Sequence, residues 1–158
     1  MEHYLKITEM VVAESGDSIK TVLGSCIGLC LIDQRGQRAG MVHVMMPSGG
    51  GPDEPEGKYA DRAVSALIAL LEAAGSPRKY LIAKIAGGAS MFGRKTDLKD
   101  DPLAIGDRNR QVVMERLKEF KIPLEADQTG GSTGRNITLD CATGEVVVRC
   151  QDGTGCTI

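Results

Sequence analysis

Residues 26–46 read CIGLCLIDQRGQRAGMVHVMM, and the choice of fold depends on them. Cys26–Ile32 is a nearly unbroken apolar run, the pattern of a strand buried on both faces. Asp33-Gln34-Arg35-Gly36 supplies turn chemistry. Arg38–Met46 is the returning apolar segment, stopped by Pro47. The pattern predicts a hairpin. With Arg35 and Gly36 as the two central turn residues, opposed residues have numbers that sum to 71. Cys26 then faces Met45, and His43 shares the sheet face of Cys26, diagonally across the ladder and about 7–8 Å away at the backbone. A slip of one residue would put the two side chains on opposite faces.

Reading outward, Tyr4–Ala13 is expected to be one strand or extended arm, and Ser18–Leu23 a second strand, broken by Gly24-Ser25. Downstream, the Gly- and Pro-rich stretch Ser48–Gly57 is expected to be a mobile loop. Val64, Leu67, Ile68 and Leu71 recur at helical spacing, with Asp61 at the start and Gly75 and Pro77 at the end. Tyr80–Ala86 reads as a strand entering Gly87-Gly88, and a polar stretch, Arg94–Pro102, follows. A second helix is expected over Asp107–Phe120, with Asp107 as N-cap. Leu124–Asp127 and Arg135–Cys141 read as strands, and Thr143-Gly144 turns into a last strand, Glu145–Cys150. Several hairpins beside two helices give an α/β class with mixed pairing.

The 158 residues carry 19 basic and 21 acidic side chains, a net charge of −2. That balance argues against a general polyanion binder. With aromatics at 3% and no Trp, the stacking surface that single-stranded nucleic acid needs is missing. No apolar run approaches the roughly 20 residues of a membrane span, and Met1–Met10 lacks the apolar region of a secretion signal. Five cysteines without stapled-scaffold spacing are expected to be free thiols in a cytoplasmic protein.

The strongest chemical pairing is Cys26 with His43. A free thiol with a pKa of about 8.5 is mostly protonated at neutral pH, and a neighbouring imidazole can take its proton. The amides around Gly24, Ser25 and Cys26 are candidates for holding an oxyanion. A third group should orient the imidazole, and Thr21 or a backbone carbonyl could do so. Each residue also has a plainer reading: Cys26 as core and His43 as a satisfied strand histidine.

Further motifs run in the same order along the chain. Leu23-Gly24-Ser25-Cys26 is followed by Gly40-Met41-Val42-His43-Val44-Met45-Met46-Pro47 and Gly57-Lys58-Tyr59-Ala60-Asp61. Then come Lys84-Ile85-Ala86-Gly87-Gly88-Ala89-Ser90-Met91-Phe92, Ile105-Gly106-Asp107-Arg108-Asn109, and the segment from Gly130-Gly131 to Gly134-Arg135. Together they resemble the chemoreceptor glutamine deamidase family, CheD, over almost the whole chain. The resemblance implies a single catalytic domain over residues 1–158, with packed mixed β-sheets and helices on the outside, similar to the catalytic domains of deamidating toxins. It implies Cys26 as nucleophile, His43 as base and Thr21 as third member, with no metal or organic cofactor. It implies glutamine side chains on the cytoplasmic helices of methyl-accepting chemotaxis receptors as substrate, and a CheC-type phosphatase as regulator. Asn109, Asp127, Thr129 and Arg135 also match family positions, as turn and cap chemistry or as support for the cleft. The acidic stretch Arg94–Pro102 departs from the pattern.

Rival readings are weaker. Gly88–Thr96 nearly spells a phosphate-binding loop, but Arg94 stands where the lysine is required, and no helix follows at once. Cys26 and Cys30 share a strand face but lie about 13 Å apart at ~3.3 Å per residue, too far to share one zinc. Cys30 is expected to be core, and Cys141, Cys150 and Cys156 show no ligand spacing. Met91-Phe92 is a candidate apolar contact for receptor or phosphatase. A non-catalytic adaptor that binds receptor helices or the phosphatase, and a general cysteine amidase, are the alternatives in function.

Overall fold

The structure is a computed structural model that describes residues 1–90 and 105–158. Met91-Phe92, Arg94–Pro102 and the part of Gly88–Thr96 after Ser90 lie outside the described residues. Among the described residues, ten strands form two five-stranded sheets. The first sheet orders β1 (Glu2–Tyr4), β3 (Ser18–Leu23), β8 (Arg135–Asp140), β9 (Val146–Cys150) and β10 (Gly155–Thr157). The second orders β2 (Met10–Glu14), β5 (Arg38–Val44), β4 (Ile27–Asp33), β6 (Leu81–Gly87) and β7 (Leu124–Thr129). Pairing is parallel for β1–β3 and β6–β7 and antiparallel elsewhere, so both sheets are mixed.

The sheets pack face to face, and α1 (Ala60–Ala73) and α2 (Ile105–Glu119) cover the far side of the second sheet. Alternation along the central strands explains the layering. Ile27, Leu29 and Leu31 of β4 join Val42 and Val44 of β5 under the helices, with Val64, Leu67, Ile68 and Leu71 of α1. Cys30, Ile32, Ala39 and Met41 turn the other way and meet Ile19, Leu23, Ile137, Leu139 and Val148 of the first sheet. β4 is buried at every position, as its apolar run predicts. Among the described residues no helix covers the outer face of the first sheet, and Val22 and Val147 are exposed there.

The hairpin register is the expected one: Ile27 pairs with Val44 and Gly28 with His43. Three expectations need correction. Tyr4–Ala13 is not one element, because the chain leaves β1 in one sheet and enters β2 in the other, turning at Thr8, whose φ of 70° is left-handed. Asp107 is not an N-cap; α2 starts two residues earlier, and Asp107 lies in its first turn, where a carboxylate favours the positive end of the helix dipole. The loop after Pro47 is tied down rather than loose. Glu54 accepts hydrogen bonds from Tyr59 Oη (2.6 Å), Lys58 Nζ (3.0 Å) and the Gly51 amide (3.0 Å). The edge strand β10 was not expected at all.

Candidate active site

The site lies where β4 begins and β5 and β6 end. Gly28 fixes which way it faces. A Cβ added there would sit 2.7 Å from Ile137 Cδ1 and 3.0 Å from Leu23 Cδ1, both in the first sheet. His43, paired with Gly28, therefore points between the sheets. Cys26, two residues before Gly28, packs in the same inter-sheet cluster. Cys26 and His43 thus share one face, diagonally placed, and both are buried, at 8% and 4% exposure.

Behind the imidazole stands Thr21 of β3, fully buried in the facing sheet. Its Oγ1 lies 2.8 Å from His43 Nδ1 and 2.8 Å from the Leu5 carbonyl oxygen. A threonine hydroxyl has one proton, and a carbonyl can only accept. With the hydroxyl donating to Leu5, only its oxygen is left to face Nδ1, which can then donate its own proton to it. This leaves Nε2 as the bare, basic nitrogen. Of the two groups considered for orienting the imidazole, the hydroxyl touches the ring and a backbone carbonyl stands one bond further back.

Burial pushes the Cys26 thiol up to about 11 and pulls the His43 imidazole down to about 4. The resting pair is neutral. Among the described residues no hydrogen bond joins thiol to imidazole, so the sharing of a proton expected from the sequence is not formed in this state.

All three carbonyls of the Gly24–Cys26 turn are occupied. Gly24 O accepts from Ala89 N (3.0 Å) and Cys26 O from Gly88 N (2.8 Å), while Ser25 O lies 3.4 Å from Asn109 Nδ2. Among the described residues, the Ser25 and Cys26 N–H groups donate to no acceptor. Two neighbouring backbone donors beside a thiol are the elements of an oxyanion site. Asn109 also donates to Met45 O at 3.0 Å, so one amide from α2 ties the cysteine turn to the end of the histidine strand. Those two acceptors fix which amide atom is nitrogen. Among the described residues its Oδ1 is buried without a partner, as is Ser90 Oγ.

Arg135 holds the Gln128–Thr133 loop, donating to the carbonyls of Gln128 (2.7 Å), Gly130 and Thr133 (3.2 Å). Asp127 accepts from Arg110 Nη2 (2.6 Å) and Thr129 Oγ1 (2.5 Å), a surface network. Cys30 is core, and all five cysteines are free. Sequence reading missed the Leu5 carbonyl and Gly28. No side-chain pattern marks a carbonyl, whereas a glycine inside an apolar strand is the usual mark of close backbone approach.

At one end of this α/β sandwich a buried thiol, an imidazole in contact with a threonine hydroxyl and, among the described residues, two unpaired amide donors lie together, the kinds of group that acyl transfer on sulfur uses. The family model described as CheD chemotactic sensory transduction matches residues 45–150. The chemoreceptor glutamine deamidase CheD of Thermotoga maritima is 40% identical over 97% of this chain and 94% of its own. Its namesakes from Bacillus licheniformis and Bacillus subtilis are 40% and 42% identical, over 90% and 85% of this chain and 86% and 82% of theirs. The chain belongs to the CheD family. The solved Neisseria meningitidis protein NMB0706 superposes with a TM-score of 0.46 at 13% identity, covering 79% of this chain and 52% of that one. Among the described residues no helix is long and apolar enough to cross a membrane.

Proposed function

We propose that this chain is a chemoreceptor glutamine deamidase, acting as one catalytic domain with Cys26 as nucleophile, His43 as general base and acid, and Thr21 as the residue that orients His43. The observation that carries the assignment is the 2.8 Å contact between Thr21 Oγ1 and His43 Nδ1, on the sheet face that also holds Cys26. It supports a bare Nε2 directed to the thiol's side of the ring.

Substrate entry brings thiol and imidazole into contact, since catalytic hydrogen bonds tighten when substrate binds. His43 Nε2 takes the thiol proton as sulfur attacks the glutamine Cδ. The Ser25 and Cys26 amides, placed by Gly24 and by Asn109, hold the oxyanion. His43 returns the proton to the departing nitrogen, which leaves as ammonia, and a thioester remains. Water then gives a proton to His43 and attacks the thioester carbon. Collapse releases glutamate, and the proton goes back to the Cys26 sulfur. Burial suits this course, because a neutral thiol is stable between turnovers and a neutral imidazole is ready as a base.

The substrates on this reading are glutamines on the cytoplasmic helices of chemotaxis receptors, and the site works in the cytoplasm. A CheC-type phosphatase is the partner that family resemblance supplies. The test is mass spectrometry of a receptor cytoplasmic fragment incubated with wild type, Cys26→Ala and His43→Ala. Wild type adds about 1 Da per site as O replaces NH, and neither variant does. Deamidation by Cys26→Ala at the wild-type rate overturns the assignment. Added CheC-type phosphatase lowers the wild-type rate, and an unchanged rate removes that partner.

A further inference from the structure

The segment between β1 and β2 crosses from one sheet to the other at the place where Thr21 meets His43. Leu5 N donates to Lys20 O at 2.8 Å, Thr8 N to His43 O at 3.0 Å, and His43 N to Glu9 O at 3.0 Å. The Leu5 side chain is buried in the inter-sheet cluster. The crossing is thus anchored to both strands that carry the site, and its Leu5 carbonyl meets the Thr21 hydroxyl.

We propose that the Leu5 carbonyl is a positioning group of the catalytic site: it commits the Thr21 hydroxyl proton and thereby sets the His43 tautomer. The proposal rests on the deamidase reading only for what the bare Nε2 does. A hydroxyl can turn either way. Facing Nδ1 with its proton, it would stabilise the tautomer with hydrogen on Nε2, which cannot accept from the thiol. Facing Leu5, it offers Nδ1–H only an oxygen lone pair. The carbonyl has no donor capacity, so it acts in one direction. Any side chain at position 5 would serve, provided that the crossing stays in place. The backbone of the Leu5–Glu9 crossing is therefore part of what positions the site, whereas its side chains are not.

The first test is ¹⁵N NMR of the full chain labelled at histidine, at neutral pH. The expected spectrum shows His43 protonated on Nδ1 and bare on Nε2; the reverse overturns the proposal. The second uses ligation of a 1–25 thioester to a 26–158 fragment that begins with Cys26, followed by refolding. Replacing the Lys6 amide nitrogen with an ester oxygen makes Leu5 C=O a weaker acceptor. Relative to the all-amide ligation product, both tautomers should then be seen, and deamidation should fall about tenfold, the scale of one weakened hydrogen bond. The ester also removes the exposed Lys6 N–H to Glu9 carboxylate bond of 2.8 Å. Glu9→Ala in the all-amide chain removes the same bond and is expected to keep the single tautomer. An ester protein with unchanged tautomer and rate overturns the role of Leu5. An all-amide protein with the expected tautomer but no deamidase activity overturns the deamidase reading alone.

Discussion

Gly28 lies directly across the β4–β5 ladder from His43, and the missing side chain lets the two sheets close around the imidazole. A Cβ at position 28 meets the tips of Ile137 and Leu23, which can shift. Gly28→Ala is expected to fold with a loss of about 1–3 kcal/mol, read from urea unfolding, and to lower kcat as the sheets part. Gly87 offers no such relief. Its φ is 104°, and a Cβ there would lie 2.2 Å from the Cys26 carbonyl oxygen, which is backbone. Gly87→Ala should cost more stability than Gly28→Ala and abolish turnover in whatever fraction folds. Equal tolerance of the two changes would show that the cysteine turn is not held as described.

Thr21→Val keeps the shape of the side chain and removes the hydroxyl. The Leu5 carbonyl and His43 Nδ1 then lose their common partner. We expect kcat to fall about a hundredfold, within the range assigned to a positioned general base, with KM little changed. Thr21→Ser should keep most of the activity. A valine variant as active as wild type would remove Thr21 from the site.

What could be read from the sequence divides by range. The Cys26–Met46 hairpin was legible because turn chemistry and an apolar run specify it locally, down to the Gly28–His43 register. Asn109 carried a signal of its own, a polar residue at four-residue spacing before Val113 and Leu117 on the buried stripe of α2. The break between β1 and β2 was not legible, since no glycine or proline marks it and Thr8 takes the left-handed turn instead. β10 has no buried residue to set an alternating pattern. Contact between Thr21 and His43 depends on how two sheets face each other, which periodicity within a strand cannot encode. The residues offered Thr21 beside a backbone carbonyl as the group behind the imidazole, and the family resemblance chose Thr21.

Asn109 links the two halves of the site. Its Nδ2 reaches Ser25 O and Met45 O, while its Oδ1 has no partner among the described residues. An unpaired buried carbonyl costs stability, so the side chain fits the site better than it fits the core. Asn109→Leu should leave stability within about 2 kcal/mol of wild type and lower kcat about tenfold, as two hydrogen bonds are exchanged for apolar contact. Asn109→Asp places a carboxylate against two carbonyl oxygens and should be the worse folder of the two. Urea unfolding and single-turnover deamidation separate the effects.

Burial sets the reactivity of Cys26 in the free protein. With its thiol pushed up to about 11, alkylation by iodoacetamide should be slow at pH 7 and keep climbing through pH 9 to 10. An ordinary thiol with a pKa of about 8.5 would be levelling off there. Peptide mapping isolates Cys26 from the exposed Cys156. A plateau already reached at pH 7 would mean a resting thiolate and would overturn the neutral pair.

His43 makes the fold sensitive to acid in a separate window. The imidazole is held near 4 against an ordinary 6.5, so the unfolded chain binds its proton first as pH falls. The neutral ring therefore contributes its full stability above pH 6.5, and that contribution drains away between 6.5 and 4. The loss approaches about 3 kcal/mol at one pKa unit per 1.36 kcal/mol. Asp33 and Glu54 are held below their ordinary values by hydrogen bonds from Arg35 and Tyr59, so their contributions vanish only at more acid pH. Urea unfolding at pH 7 and pH 4.5 should show most of the His43 loss, and His43→Gln should flatten that slope. A wild-type slope no steeper than that of His43→Gln would mean that the imidazole is not buried as a neutral ring.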